Sequence, residues 1–446
     1  MNKLLRANKS DSIKIDDCTE FKAQVFQWAS QFDTICYFDN NEYSGYNHHS
    51  YEGLIAVGEE SSILKPQGGS FSSFEKLKEY WNLKKDWLFG FLSYDLKNEI
   101  ENLDSNNFDG LSFPEMHFFQ PCCVIEIFKG KVRIHSKNKS SREIFEDIQK
   151  TFLQQPVQKK MNPFHSLQPR ISKDEYIQTI ESIRQHIIEG DIYEMNFCQE
   201  FYAEKICLDP FETFQRLSSL TKAPFTTFYK RKDQYLLCAS PERFLKKEGN
   251  RLISQPIKGT ARRGQNGRDD LLLAEELFNS EKDRAENVMI VDLVRNDLAR
   301  SCKPGSVKVN ELFGIFSFEQ VFQMISTVSG ELREEVHFID AIKNAFPMGS
   351  MTGAPKVMSM QLIEHYEKTR RGLYSGAVGY ITPSGDFDFN VVIRSVLYNA
   401  SDQYLSLQVG GAIVFDSVPE EEYEECLLKA KAMIEVIENE PFEVFY

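Results

Sequence analysis

The order in which strand-like and helix-like segments follow one another constrains this chain most. Runs such as WLFGFLSYDL (87–96), CCVIEIF (122–128), DIYEMNFCQEF (191–201) and YLLCAS (235–240) read as strands. Residues 72–81, 281–299 and 419–437 read as helices, and the stretches 311–330, 373–382, 388–398 and 404–414 as strands and turns. The two kinds alternate without the regular beat of a parallel βαβ array, which predicts an α+β chain. A length of 446 residues exceeds one ordinary core, so two lobes or one large interleaved domain is expected. The segment 155–171, QPVQKKMNPFHSLQPRI, has three prolines and little periodicity, and reads as a connection between an N-terminal part (1–154) and a C-terminal part (172–440). Just after it, Ser172 and Glu175 have capping-box spacing. Tyr176, Ile180, Ile183 and Ile187 then share one helical face, and Gly190 is placed to stop that helix.

Several function classes drop out early. Apolar residues make up 41% and charged residues 26%, the balance of a packed globular protein. No apolar run approaches the roughly 18 residues that span a bilayer, so no membrane role is expected. The polar start MNKLLRANKSDSIKID lacks a signal-peptide core, and a cytoplasmic location is expected. Nine scattered cysteines without CxxC spacing predict reduced thiols, and eight histidines without paired spacing argue against zinc. The net charge of −14, with no basic stripe, argues against nucleic acid. An anionic substrate would therefore need a local positive site made by a metal, a few cations or backbone amides.

Five segments could carry chemistry, and each has a plain structural alternative. In QPIKGTARRG (255–264), Lys258 lies beside Gly259 and Thr260; it is either a solvated turn lysine or a site residue that a ligand approaches over the glycine. In EKDRAENVMIVDLVRNDLAR (281–300), Asp283 and Glu286 share a helix face, and Glu422 and Glu425 repeat that spacing in VPEEEYEECLLKAKAM, with Lys429 one turn on. Acidic residues also suit helix starts for dipole reasons alone. Two such pairs on two helices, offering only oxygen, suit Mg²⁺. Arg295, Asn296 and other polar residues interleaved with valines in the first helix suggest internal hydrogen bonds. FPMGSMTGAPK (346–356), YSGAVGY (374–380) and QVGGAI (408–413) could offer backbone N–H groups to an anion. Arg394, inside the apolar stretch FNVVIRSVL, is either paired in a core or faces a cleft as a carboxylate clamp. Glu242 in CASPERFL is either a salt-bridged loop residue or a proton donor.

Taken in order, SKDEY, GDIYEMN, SPERF, PIKGT, KDRAENVMIVDLVRNDLAR, GSMTGAPK, LYSGAVGY, IRS, GGAI and EYEECLLKA make residues 172–440 resemble the chorismate-utilising enzymes. That family includes anthranilate, aminodeoxychorismate, isochorismate and salicylate synthases. Residues 1–154 resemble its more variable lobe only loosely, and 172–440 would be the chorismate-binding catalytic domain. The resemblance implies two β-sheets packed face to face with helices outside and the active site in the cleft between them. It implies Mg²⁺ held directly by Glu286 and Glu425 and through water by Asp283 and Glu422, with the metal taking the ring carboxylate. Arg394, Tyr374 and the amides around Gly410, Gly411 and Ala412 would hold the pyruvyl carboxylate, and Thr260, Ser350 and Lys429 would line the same site.

Within the family, the water-using branches carry a base lysine where this chain has Glu194, which disfavours water as nucleophile. The PIKGT form resembles component I of aminodeoxychorismate synthase, on the route to 4-aminobenzoate and folate. There the lysine matching Lys258 attacks ring C2 as the 4-hydroxyl departs, and ammonia then attacks C4 and expels it. Lys258 would have to be neutral, with a pKa lowered by burial or neighbouring cations. Glu242 would protonate the leaving hydroxyl. Many relatives have histidine where this chain has Gln323, which weakens the alternative of anthranilate synthase component I. A catalytically silent chorismate-binding subunit is a further alternative. The chain shows no glutaminase segment with a nucleophile-elbow cysteine, so a separate glutamine amidotransferase supplying ammonia is expected.

Overall fold

The computed structural model describes residues 12–43, 45, 50–152, 166–319 and 321–438. Among these residues twenty strands form one continuous hydrogen-bonded network, folded into two layers. In the first layer, Gly53–Lys65, Thr34–Asp39, Phe225–Arg231, Gln234–Ser240, Ser395–Asn399, Tyr404–Ile413 and Glu194–Glu204 pair in that order. In the second, Leu88–Leu92, Ala377–Ile381, Phe387–Val391, Arg243–Glu248 and Arg251–Gln255 follow one another, and Val321–Glu331 continues from the last. All of these pairings are antiparallel.

The layers are joined where strands bend. Met116–Phe128 belongs to both: its first half pairs with Leu88–Leu92 and its second half with Lys131–Ser136, while Gly53–Lys65 runs alongside with a register shift between Glu59 and Ser61. A second corner lies at 240–243 and 391–395, where two chain segments cross side by side from one layer to the other. Val391 N donates to Glu242 O at 3.1 Å and Ala239 N to Arg394 O at 3.0 Å, so the two crossings are tied to each other.

The period-2 alternation of strands sorts side chains between two cores. Cys36, Phe38, Leu236 and Cys238 face the second layer and pack in one cluster with Phe89, Phe118 and Phe389. Ile35, Tyr37, Leu237 and Ala239, one residue out of step, face the outer helices Cys18–Ala29, Pro210–Thr221 and Pro419–Glu438. The segment 155–171 joins parts that share both layers. Thr34–Asp39 pairs with Phe225–Arg231, and Leu88–Leu92 with Ala377–Ile381. Residues 155–165 of it lie outside the described residues; Gln168–Pro169 pair with Tyr202 and Phe201.

The helix Lys173–Glu189 has the capping box of Ser172 and Glu175, and Gly190 ends it at φ 88°. The helix Glu281–Ala299 starts on the Ser280 cap and runs as the sequence predicts. One expectation changes and another gains its position. The run 87–96 is a strand only to Leu92, and Tyr94–Leu96 is a 3₁₀ turn capped by Ser93. The stretch 388–398 is two strands, broken at 392–394, where the chain passes the second corner.

Candidate active site

A cavity of about 170 Å³ opens between the layers beside the second corner. Glu242 and Arg394 stand on the two crossings and both line it. The Arg394 backbone takes a positive φ of 51°, a costly conformation for a residue with a side chain. Its guanidinium has no hydrogen bond or ion pair among the described residues. Burial pushes its pKa down, offset by Tyr374 and Glu425. A half-buried cation without a bonded partner beside a cavity can clamp an anion. Tyr374 lies on the same wall, its hydroxyl 3.6 Å from Cys198 Sγ.

The Glu242 carboxyl is buried, and Ser350 Oγ donates to its Oε1 at 2.6 Å. Burial pushes Glu242 up to about 7, against the Ser350 hydrogen bond and the charge of Lys258. It can therefore carry a proton near neutral pH.

Lys258 is not in a turn but on the strand Ile257–Arg262, paired with Val321–Glu331, and it too faces the cavity. Its Nζ donates to Glu194 Oε1. Both side chains are buried, Lys258 8% exposed and Glu194 1%. Burial alone lowers the lysine, but Glu194, then Glu286 and Glu242, outweigh it, and the net shift is upward. The expectation of a lowered pKa is thus corrected for the free protein: Lys258 is held as an ammonium by a carboxylate partner. Thr260 follows on the same strand, opposite Gln323. Gly259 has φ 90°, and a Cβ there would lie 3.0 Å from Asp283 Oδ1. Only glycine lets this strand lie so close to the helix Glu281–Ala299.

That helix brings Asp283 and Glu286 to the cavity, and Pro419–Glu438 brings Glu422, Glu425 and Lys429 from the other layer. Gly410 and Ala412 line the wall between. A Cβ on Gly411 would meet Glu422 Oε2 at 3.2 Å, with Lys429 Nζ at 3.7 Å and Glu425 Oε1 at 3.9 Å, so three charged groups converge on that glycine. Glu422 Oε1 accepts from Ser417 at 2.7 Å, and Lys429 Nζ reaches Glu425 at 2.6 Å and Gly410 O at 2.9 Å. Neither Asp283 nor Glu286 has a side-chain hydrogen bond or ion pair among the described residues. Burial drives Glu286 up to about 7 against the pull of Lys258. A buried carboxylate without a partner is costly, and a cation between the helices would relieve it. No three of these four carboxylates bring ligand atoms within 4.8 Å of one another; among the described residues only the surface group His186, Glu189 and Asp191 does. Wider spacing fits Mg²⁺, which keeps several waters and takes one or two carboxylates directly.

The interleaved polar residues of Glu281–Ala299 divide. Asp297 is buried against Lys356 at 2.9 Å and Asn287 Oδ1 accepts from Ser326, whereas Asp292 and Arg295 are exposed and pair with each other. Sequence reasoning missed the Lys258–Glu194 pair and the neighbouring lining residues Asn196 and Gln408. Alternation along Glu194–Glu204 was the available signal, since Glu194, Asn196 and Cys198 share one face. It also missed Arg371, a buried arginine that donates to Met351 O and to Asn196 O at 2.8 Å and so braces two cavity walls.

Residues 34–435 match the family model described as chorismate binding enzyme, a span that begins far ahead of the motifs. The chain is 35% identical over 361 residues to aminodeoxychorismate synthase component 1 of Bacillus subtilis, covering 78% of this chain and 76% of that protein. It is 32% identical over 383 residues to anthranilate synthase component 1 of Aquifex aeolicus, covering 82% and 76%. Anthranilate synthase component I from Streptococcus pneumoniae superposes with a TM-score of 0.75 at 26% identity, over 88% of this chain and 95% of that one. The menaquinone-specific isochorismate synthase MenF of Escherichia coli shares the fold, with a TM-score of 0.74 at 16% identity over 96% and 94%.

Proposed function

This chain belongs to the chorismate-binding enzymes, and on that premise we propose that it is component 1 of an aminodeoxychorismate synthase, replacing the 4-hydroxyl of chorismate by an amino group. The observation that carries this reading is a buried lysine, Lys258, facing the same cavity as a carboxyl poised near neutrality, Glu242. Lys258 passes its proton to Glu194, with which it is already hydrogen-bonded, and its neutral amine attacks C2 of the ring. The two ring double bonds shift in turn, the C4–O bond breaks, and Glu242 supplies the proton that lets the hydroxyl leave as water. Ammonia then forms the C4–N bond and gives its extra proton to Glu242, the two double bonds shift back, and the C2–Nζ bond breaks to free Lys258.

Asp283, Glu286, Glu422 and Glu425 would hold Mg²⁺, and the carboxylates of Asp283 and Glu286, without side-chain partners among the described residues, fit it. When bound, the ion supplies positive charge for a substrate carboxylate. Arg394 offers the second carboxylate a fork, with Tyr374 beside it. Ammonia would come from a glutamine amidotransferase partner, a role the term "component 1" suggests for the B. subtilis relative. The similarity to anthranilate synthases makes amination at C2 with loss of pyruvate the competing reading.

Lys258→Ala tests the proposal, with chorismate, Mg²⁺ and ammonium and with products separated by chromatography. The unaltered protein is expected to give 4-amino-4-deoxychorismate and the variant to lose it. Anthranilate from the unaltered protein, or an unchanged 4-amino product from the variant at full rate, would overturn the reading.

A further inference from the structure

Arg371 is 2% exposed and does not line the cavity, yet each of its guanidinium nitrogens donates a hydrogen bond. Nε and Nη2 reach Glu367 Oε2 and Oε1 at 2.9 and 2.7 Å. Nη1 reaches Met351 O, and Nη2 also reaches Asn196 O at 2.8 Å. Glu367 is itself buried and accepts from Cys198 N at 2.9 Å. The guanidinium lies over the Tyr94 ring, 4.7 Å from its centre. A planar fork held on its edges and on one face has one orientation, and an ammonium could not replace it.

The two carbonyls belong to backbone arms with different duties. Met351 follows Ser350, whose Oγ donates to Glu242 Oε1 at 2.6 Å. Asn196 lies two residues past Glu194, the partner of Lys258. The arms also pair with each other, Gly353 with Met195 and Ala354 with Glu194, and Asn196 N donates to Thr352 O at 2.8 Å. A side chain that grips both carbonyls therefore sets where the Ser350 hydroxyl stands. That hydroxyl occupies Oε1 of Glu242 and leaves Oε2 to carry the proton.

Resting on the function proposed above, we propose that Arg371 is a positioning residue for the proton donor, acting through Met351 and Ser350 on Glu242. The Glu242 proton responds to burial, the Ser350 hydrogen bond, the charge of Lys258 and the Ile257 backbone. The Ser350 hydrogen bond is the one of these that Arg371 sets.

Arg371→Lys keeps a positive charge beside Glu367 but cannot hold both carbonyls. With chorismate, Mg²⁺ and ammonium, kcat is expected to fall about tenfold or more. The KM for chorismate should stay within about threefold. The Ser350 hydrogen bond favours the carboxylate, so weakening it moves the alkaline limb of kcat/KM upward from about 7. A shift of about half to one pH unit is expected. Ser350→Ala should move the limb the same way, and the double variant should move it no further. An ion pair with a structural role alone would lower the melting temperature and leave the limb in place. Should Arg371→Lys not bind chorismate in calorimetry, Glu367→Gln takes its place: the fork loses the anion that orients it, and a smaller shift in the same direction is expected. A limb that stays put in a variant that binds chorismate, or shifts from Arg371→Lys and Ser350→Ala that add, would overturn the role of Arg371 alone. Anthranilate from the unaltered protein would overturn the proposed function, while the limb would still decide the role of Arg371.

Discussion

At the scale of single residues, the site pairs some of its charges, such as Lys258 with Glu194, and leaves others, such as Arg394 and Glu286, without a bonded partner among the described residues. Glu194 compensates Lys258, so the lysine can be buried without the full cost of an isolated ion. Neither residue explains the other in the sequence, where 64 positions separate them. Glu242 is treated in the opposite way: it has a hydroxyl donor and burial but no directly bonded cation, so its proton stays until about pH 7. The sign of the resulting pH dependence is fixed by its role. A proton donor works while protonated, so kcat/KM should fall as pH rises through about 7. Glu242→Gln should lower the rate by about 10²–10⁴-fold and remove that alkaline limb. A pH–rate profile of both proteins checks this. An unchanged limb in the variant would assign it to another group.

At the scale of elements, local signals and long-range ones part company. The helix Glu281–Ala299 was legible because a serine cap, acidic first-turn residues and buried valines all agree within nineteen residues. The helix Lys173–Glu189 was legible from the Ser172–Glu175 capping box, the face of Tyr176, Ile180 and Ile183, and the stop at Gly190. The break at 392–394 was not, because FNVVIRSVL has the same apolar pattern whether it stays in one layer or changes layer. Only the pairing partners, Arg243–Glu248 for one half and Gln234–Ser240 for the other, decide it. The sequence leaves Lys258 either a solvated turn lysine or a site residue beside Gly259; it lies on a strand, which that glycine lets pass Asp283. Gly259→Ala should therefore destabilise the protein by about 1–2 kcal/mol, the cost of a left-handed alanine. The added methyl also presses on Asp283. Urea unfolding measures the loss, and a stability equal to that of the unaltered protein would show that the strand relaxes without strain.

At the scale of the whole molecule, a chain of net charge −14 gathers Lys258, Lys282, Arg394 and Lys429 around one cavity. The four carboxylates come from two helices that lie on different layers. A divalent ion bound between them would tie those layers together in the folded state only, and so add to stability. Mg²⁺ should raise the melting temperature of the substrate-free protein, and Glu286→Gln should abolish most of that rise. Scanning calorimetry with and without the ion gives the answer. An equal rise in both proteins would place the metal elsewhere.

The second corner has a further consequence. Glu242 and Arg394 sit on adjacent crossings that are stitched to each other by two main-chain hydrogen bonds, 3.0 and 3.1 Å long. Whatever the two layers do around them, breathing apart or drawing in, those crossings travel as one piece. The molecule therefore carries an internal ruler. Its two marks are the backbones of Glu242 and Arg394, the proposed proton donor and anion clamp, and their separation is written in main-chain geometry. A ligand is measured against that length before any of its bonds are tested.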